Sequence, residues 1–181
     1  FYSKKNIGNI SYPESFSGDD NSSISKAKNI LEEFRYKLSF NEFDAKYIRV
    51  RRLISDEENK VSDVVAKVLS GFLAEAAYYN LKDSTVFIEK NGVGEKLLIK
   101  SSYSGNHWEL TKENKIIGNL KCYKATKIED GLGKSSKDIV TAWYCPTLNF
   151  AFGPDGYAGL PGLIIQLKKG NIITTLEKIE F

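Results

Sequence analysis

The sequence has no methionine, one histidine, two cysteines and four prolines among its 181 residues. A single imidazole, His107, excludes any mechanism within this chain that needs two histidines. No cysteine or acidic cluster lies at ligand spacing from it, so we expect neither a metal site nor a cofactor. Two cysteines are too few for a disulfide scaffold. No apolar run approaches the roughly 18 residues of a membrane-spanning helix, so we expect none.

The composition is typical of a soluble globular domain. Hydrophobic residues make up 41% and charged residues 27% of the chain, which excludes a disordered or low-complexity protein. The net charge of +3 is small and scattered, so nucleic acid is not an expected partner. The length favours a single domain over residues 1–181.

The first quarter of the chain predicts a loop followed by a hairpin. Residues 1–25 are rich in Ser, Asn, Gly and Asp and indicate a loop or an edge segment, with a short strand over 9–12. From Phe34 onward apolar residues recur at every second position, which predicts strands over about 34–40 and 43–53.

One amphipathic helix is predicted over about 56–79. Ser55 and Glu58 have the spacing of a capping box. From Val61 to Ala76 the apolar residues recur every three or four positions, which forms one apolar stripe. We expect this helix to pack on a sheet.

After residue 83 the pattern is strand after strand, separated by short turns such as Asn91-Gly92. The predicted strands cover about 84–89, 95–103, 107–111, 115–128, 138–145, 162–168 and 172–179. This spacing is typical of an antiparallel meander. The fold class is therefore mainly β (α+β), a curved antiparallel β-meander with one helix, and a half-open barrel is one form open to it.

Cys122 and Cys145 lie at matching positions of one predicted hairpin. If this hairpin folds about Gly133-Lys134, paired residue numbers have a constant sum, and Cys122 faces Cys145. A cross-strand disulfide and two buried free thiols both fit this pairing, because a slip of register destroys the bridge.

The densest local signal is a glycine- and proline-rich turn before the strand at 162–168. Glycine permits positive φ and close backbone approach. The turn is therefore either structural or part of a ligand site. Its candidate residues are Gly153, Pro154, Asp155, Gly156, Tyr157, Gly159, Leu160, Pro161 and Gly162.

Catalytic motifs are weak. Gly133-Lys134-Ser135 lacks the earlier glycine of a phosphate-binding loop, since Ile128 stands there. If the chain were an enzyme, the candidate groups would be His107, Glu109, Asp155 and Tyr157, which share only polarity and nearness to turns. We therefore assign no catalytic residue.

The chain resembles the GLPGLI family over residues 104–169. The family motif stands at 159–164, Gly-Leu-Pro-Gly-Leu-Ile, and supporting motifs occur at 108–111, 117–126, 142–144 and 153–157. This resemblance implies an exported envelope protein of Bacteroidota with undefined biochemical function, made with a signal peptide that has been removed. It also implies a periplasmic or outer-membrane location and hints at a role beside TonB-dependent transporters. In this family Cys122 falls where a cysteine is frequent, whereas Cys145 falls where a small polar residue is expected.

Three functions of different classes follow as expectations. The first is an envelope accessory or binding module without its own catalysis, with an outer-membrane or periplasmic protein partner and an apolar ligand or lipid as a further option. The second is an uncharacterised hydrolase or isomerase. The third is a purely structural part of a larger envelope complex.

Overall fold

The computed structural model describes residues 1–6, 32–50, 74–91, 96–103, 107–130 and 137–180. Within these ranges the chain forms eleven β-strands. Their bounds are β1 Tyr2–Asn6, β2 Arg35–Phe40, β3 Asp44–Val50, β4 Ala76–Asn80, β5 Thr85–Asn91, β6 Lys96–Ser102, β7 Glu109–Ile117, β8 Leu120–Asp130, β9 Lys137–Cys145, β10 Leu163–Lys169 and β11 Ile172–Leu176.

The eleven strands form one antiparallel sheet in the order β6-β5-β4-β3-β2-β1-β11-β10-β9-β8-β7. Strands that follow one another in the chain are neighbours in the sheet, as a meander requires, except that β6 and β7 are its two edges. The strands β1 and β11 pair in the middle, with Tyr2 opposite Leu176. The prediction of a mainly β, antiparallel meander is confirmed, and over the described residues the sheet is not closed.

The predicted helix over 56–79 is wrong at its carboxyl end, where residues 76–79 belong to β4. This strand hydrogen-bonds to β3 on one side and β5 on the other. Ala77 and Tyr79 point into the core while Tyr78 is exposed, so pairing on both sides outweighs the helical spacing. Residues 56–73 of that prediction lie outside the described residues. Within the described ranges, helical conformation occurs only at residues 32–33.

The hairpin expected over 34–40 and 43–53 is confirmed as β2 and β3 up to Val50, and residues 51–53 lie outside the described residues. Its turn is held by Asn41, whose Oδ1 accepts backbone hydrogen bonds from Phe43 at 2.9 Å and Asp44 at 2.7 Å. Residues 2–6, expected to be loop or edge, form the central strand β1 instead. The short strand predicted over 9–12 lies outside the described residues.

The register predicted for the hairpin of β8 and β9 is confirmed. Lys124 pairs with Trp143 and Ile128 with Ile139, as the constant sum requires. The predicted boundary between the two preceding strands, 107–111 and 115–128, is wrong. The turn between β7 and β8 lies at Gly118 rather than at residues 112–114. Gly118 has φ +61°, a conformation that glycine adopts readily, and a bulge between Leu110 and Asn114 keeps the longer β7 paired with β8.

The core is rich in tyrosine. Tyr36 and Tyr47 stack with ring centroids 4.8 Å apart, and Tyr2 meets Tyr47 edge-on at 6.0 Å. Tyr79 meets Phe152 of the segment between β9 and β10 at 5.8 Å. Because β4 and the segment after β9 lie far apart in the sheet order, this contact brings the glycine-rich turn over the opposite half of the sheet.

Candidate functional site

A cavity of about 170 Å³ lies beneath the glycine-rich turn. Strands from opposite halves of the sheet, β5 and β6 in one half and β8, β10 and β11 in the other, contribute to its walls. Its apolar lining includes Val86, Ile88 and Leu167. Its most polar lining residues are Lys90, Lys127, Glu129, Asp155, Tyr157 and Lys169.

One wall contains a buried ion pair between β1 and the turn. The ammonium group of Lys4, whose side chain is 0% exposed, donates to Oδ2 of Asp155 and also to Oγ1 of Thr174 at 3.3 Å. Burial lowers the pKa of Lys4, and the Asp155 carboxylate partly opposes this shift. Oδ1 of Asp155 is buried and has no hydrogen-bond partner among the described residues. The pair therefore fixes the turn to the centre of the sheet, and removal of either partner would leave a buried charge.

A second polar cluster is centred on the Glu129 carboxylate. Lys127 donates to Oε1 at 2.9 Å, and Lys169 and Tyr157 donate to Oε2 at 2.9 and 2.8 Å. Partial burial opposes ionisation, but these three hydrogen bonds outweigh it and lower the pKa of Glu129 to about 2. Burial, together with the nearby Glu129 charge, raises the pKa of Tyr157. Glu129 is thus an ionised acceptor at neutral pH and Tyr157 a donor.

The backbone of the turn is held by Tyr79. Its hydroxyl donates to the carbonyl oxygen of Gly153 at 2.6 Å and accepts from the N–H of Gly156 at 2.9 Å. Gly156 has φ +89°, and a Cβ there would lie 2.5 Å from Ile88 of β5. Trp108 adds a hydrogen bond from Nε1 to the carbonyl oxygen of Ala158 at 3.1 Å. These contacts set the positions of the residues on either side of Gly156 in the cavity wall.

The structure separates the four groups considered for catalysis. Asp155 and Tyr157 line the cavity, whereas His107 and Glu109 are exposed and are absent from the residues that line it. Three other residues of the turn have structural roles: Gly153 and Gly162 have no room for a Cβ, and Leu160 is buried in the core.

Cys122 and Cys145 are both buried and free. Burial, followed by the neighbouring Cys145, raises the pKa of Cys122 to about 11. The thiol of Cys145 lies 3.0 Å from Oγ1 of Thr147. The two thiols are neighbours, as the register predicts, and whether they form a disulfide under oxidising conditions stays a prediction.

Sequence reasoning missed the lysines that surround the cavity. Lys90 follows Val86 and Ile88 at inward positions of β5, and Lys4 follows the buried Tyr2 in the same way on β1. The sequence signal for these residues is a lysine at a position where the alternation of the strand predicts an inward side chain. It does not by itself predict a buried lysine, because lysines are usually exposed.

Over the described residues, no group of three or more His, Cys, Asp or Glu side chains could hold a metal ion. No described helix is long and apolar enough to cross a membrane.

The comparisons with known proteins show a similar fold and a match of one segment to a family model, but no activity. Two crystal structures of PNGF-II, in space groups C2 and P21, share 14% and 15% sequence identity with the chain at TM-scores of 0.55 and 0.53. The matches cover 99% of this chain but only 27% and 28% of PNGF-II, so they show similarity of fold over a part of that protein. No curated protein matches the chain.

A family model described as "Protein of unknown function (Porph_ging)" matches residues 129–166, from Glu129 through the glycine-rich turn into β10. The resemblance that the Gly-Leu-Pro-Gly-Leu-Ile motif indicates is therefore confirmed over these residues as a match to the GLPGLI family.

Proposed function

We propose that the chain is a binding module of the cell envelope that holds a small ligand in the cavity under the glycine-rich turn. In this proposal the sheet curls as a half-open barrel around the cavity and contributes no catalysis of its own. The observation that carries the proposal is the pre-formed polar lining, in which a buried ion pair and the Glu129 cluster present fixed donors and acceptors beside apolar walls. Such a combination is typical of ligand sites.

The titration of the cavity groups supports binding over acid–base catalysis. A general acid or base works best when its pKa lies near the operating pH. The pKa of Glu129 is held at about 2, and the Asp155 carboxylate is paired with buried Lys4. Glu129 is therefore suited to orient a ligand and poorly suited to exchange protons with it, and Asp155 is suited to hold the turn in place.

The polarity of the lining favours a small polar ligand over the apolar ligand or lipid that the sequence left open. A cavity of roughly 150 Å³ holds a molecule the size of benzene, and a lipid chain would place apolar surface against the charges of Lys127, Glu129 and Lys169. Burying charged groups against an apolar surface is unfavourable.

The cellular setting in this proposal rests on the family resemblance. We propose an exported protein, periplasmic or associated with the outer membrane, with a TonB-dependent transporter or another envelope complex as its partner. The edge strand β6 supports a protein partner, because Leu97, Leu98 and Ile99 are 45%, 65% and 42% exposed. An exposed edge strand with apolar side chains can add a strand from another chain.

The test is isolation of the tagged protein from its native envelope in mild detergent, followed by native mass spectrometry of the intact complex and of released small molecules. A stoichiometric small polar molecule supports the binding module, and a stoichiometric outer-membrane protein supports the accessory role. Turnover of a substrate library by the purified chain, abolished by Tyr157→Phe but not by Tyr78→Phe, would favour the hydrolase instead. Recovery of an empty protein that binds nothing in a metabolite screen would refute the proposal.

A further inference from the structure

The edge strand β6 exposes side chains on both of its faces. All residues of Lys96–Ser102 are exposed, and over the described residues no strand pairs with the side of β6 that faces away from β5. Leu97 and Ile99 lie opposite Lys90 and Ile88, which line the cavity, so they share the cavity side of the sheet. The residues that alternate with them lie on the opposite side. The edge therefore presents three successive apolar side chains between two lysines.

The backbone groups of every second residue in β6 point away from β5. The N–H of Tyr103, just beyond β6, donates to the carbonyl oxygen of Ser84, just before β5, at 3.0 Å. In an antiparallel pair the residues that hydrogen-bond to one neighbour alternate with those that face the other side. Counting back from Tyr103, Leu98 and Lys100 direct their N–H and C=O groups outward. An added strand would hydrogen-bond to these groups.

The charge along this edge is positive. Strands β5 and β6 contain three lysines, Lys90, Lys96 and Lys100, and one acidic residue, Glu89. Glu89 binds Lys96 at 3.0 Å. The ammonium group of Lys100 lies over the ring of Phe87, 5.7 Å from its centroid, and takes part in none of the ion pairs of the described residues. Lys100 thus offers an exposed positive charge that no described carboxylate pairs with.

We propose that β6 binds an acidic, extended segment of a partner protein, which adds to the sheet as a further strand. The segment places a carboxylate opposite Lys100 and apolar side chains opposite the run from Leu97 to Ile99. This inference rests on the protein partner in the proposed function, and it names the chemical class of that partner and its mode of binding. Strand addition of this kind obtains affinity from main-chain hydrogen bonds and specificity from the alternating side chains.

The lysines disfavour a second copy of this chain as the occupant. If two β6 strands pair antiparallel with their apolar residues opposite one another, Leu98 lies opposite Leu98 of the second copy. The same register sets Lys96 opposite Lys100 of the second copy, and like charges directly opposite each other are destabilising. Lysines on an edge strand commonly oppose self-association in this way. Opposite charges across a strand pair are favourable instead, so the same lysines select an acidic segment.

The test measures binding of blocked synthetic peptides to the complete chain, by isothermal titration calorimetry and NMR spectroscopy. The acidic probe has a run of valines between two glutamates, and the neutral and basic probes carry glutamine or lysine in place of the glutamates. We expect the acidic probe to bind about fivefold more tightly than the neutral probe, because it forms favourable cross-strand pairs, and the basic probe to bind most weakly. Within β6, the amide signals of Leu98 and Lys100 should shift most.

Two N-methylated forms of the acidic probe test whether the backbone pairs. In each form every second amide is methylated, so one form blocks the amides that face β6 and the other blocks the amides that face away. We expect one form to lose binding and the other to retain it. Equal effects of methylation in the two forms would mean attraction between side chains without strand pairing, which overturns the inference.

Lys100→Glu is the test variant, and Lys46→Glu is the matched control. Lys46 lies in the same row across the sheet, because it pairs with Tyr78, which pairs with Phe87, the partner of Lys100. Both lysines are exposed and lie over an aromatic ring, but Lys46 belongs to β3, which has neighbours on both sides. We expect Lys100→Glu to abolish the preference for the acidic over the basic probe and Lys46→Glu to retain it. Circular dichroism checks folding, and Lys100→Gln supplies a milder variant with a smaller expected loss of preference.

The outcomes separate this inference from the proposed function. Equal binding of the acidic and basic probes, or equal effects of the two charge-reversing variants, would overturn the acidic class. A dimer in analytical ultracentrifugation that Leu98→Pro converts to a monomer would assign the edge to a second copy and overturn the inference as well. If a partner from the native envelope still co-purifies with Lys100→Glu while no probe binds, the inference fails and the accessory role stands. If no partner co-purifies and no probe binds, both fail.

Discussion

Replacement of Glu129 by Gln should make the free energy of unfolding of this protein depend less steeply on pH in the acid range. The native pKa of Glu129 is about 2 against an ordinary value of 4.5, a difference that corresponds to roughly 3 kcal/mol of stability for the ionised form. Because the folded state holds its proton less tightly than the unfolded state, this contribution is complete above about pH 4.5. It is lost as the pH falls toward 2, and roughly half is gone by pH 3.

The variant keeps the shape of the side chain but not its charge. We therefore expect Glu129→Gln to be less stable than the parent at pH 7 by up to roughly 3 kcal/mol, and the difference between the two proteins to shrink as the solution is acidified. Urea unfolding followed by tryptophan fluorescence at pH 7, 5, 4 and 3 gives the free energy of unfolding for each protein. Other carboxylates titrate in both proteins and cancel in the difference.

Glu113→Gln is the matched control. Glu113 also pairs with a lysine, Lys124 at 2.8 Å, but its side chain is 60% exposed. Exposed pairs contribute about 0–1 kcal/mol, so this variant should follow the parent at every pH. A difference between Glu129→Gln and the parent that stays constant from pH 7 to pH 3 would refute the assignment of a depressed pKa to Glu129.

Three further outcomes follow from the packing of the turn, the ion pair and the thiols. Gly162→Ala should prevent soluble folding, judged by yield and circular dichroism, because its Cβ would overlap a backbone carbonyl group. Gly118→Ala has open space around its Cβ and should lower the free energy of unfolding by only about 1 kcal/mol. Similar behaviour of both variants would contradict this. Lys4→Met should lower the free energy of unfolding by about 3–5 kcal/mol, because the Asp155 charge would stay buried without its partner. Lys4→Met combined with Asp155→Asn should lower it by less, since no unpaired charge stays buried. An equal or larger loss in the double variant would show that the two residues do not stabilise each other as an ion pair. With a pKa of about 11, Cys122 should react slowly with Ellman's reagent at pH 8 in the folded protein and rapidly in urea, and rapid reaction without urea would show that the thiol is more accessible than its burial indicates.

Local patterns predicted much of the strand content. The constant sum across the hairpin of β8 and β9 follows from residue alternation alone, and the structure confirms it at Lys124 and Trp143. The pairing is local, so few alternative registers compete with it. The turn at Asn41 could also be predicted from the sequence, because it is held locally. The side-chain oxygen of Asn41 accepts hydrogen bonds from backbone N–H groups two and three residues later.

The failures arise where distant parts of the chain determine the structure. Ala76 to Tyr79 continue a helical stripe, and only the neighbouring strands β3 and β5 make them a strand. The central position of β1 depends on β11, more than 160 residues away in sequence. No local signal indicates such a partner.

The cavity was unpredictable for the same reason. Asp155 and Tyr157 stood out in the sequence as parts of an unusual turn. Glu129 and Lys90 did not, because they belong to ordinary strands at opposite sides of the sheet. Their proximity is a property of the sheet order, which the strand pattern leaves open.

The pairing of β1 with β11 determines when the sheet can become continuous. Strands β2 to β6 and strands β7 to β11 are two local meanders, each of which can form from neighbouring hairpins as soon as its own residues are available. The seam between them closes only when residues 172–176 reach residues 2–6, and a contact of such long sequence separation forms slowly. Until that moment β1 and β11 each lack a neighbour on the side of the seam, and Lys4 has not yet been enclosed. The last pairing to form therefore lies at the centre of the sheet, so the core under the glycine-rich turn is completed only after both local meanders exist.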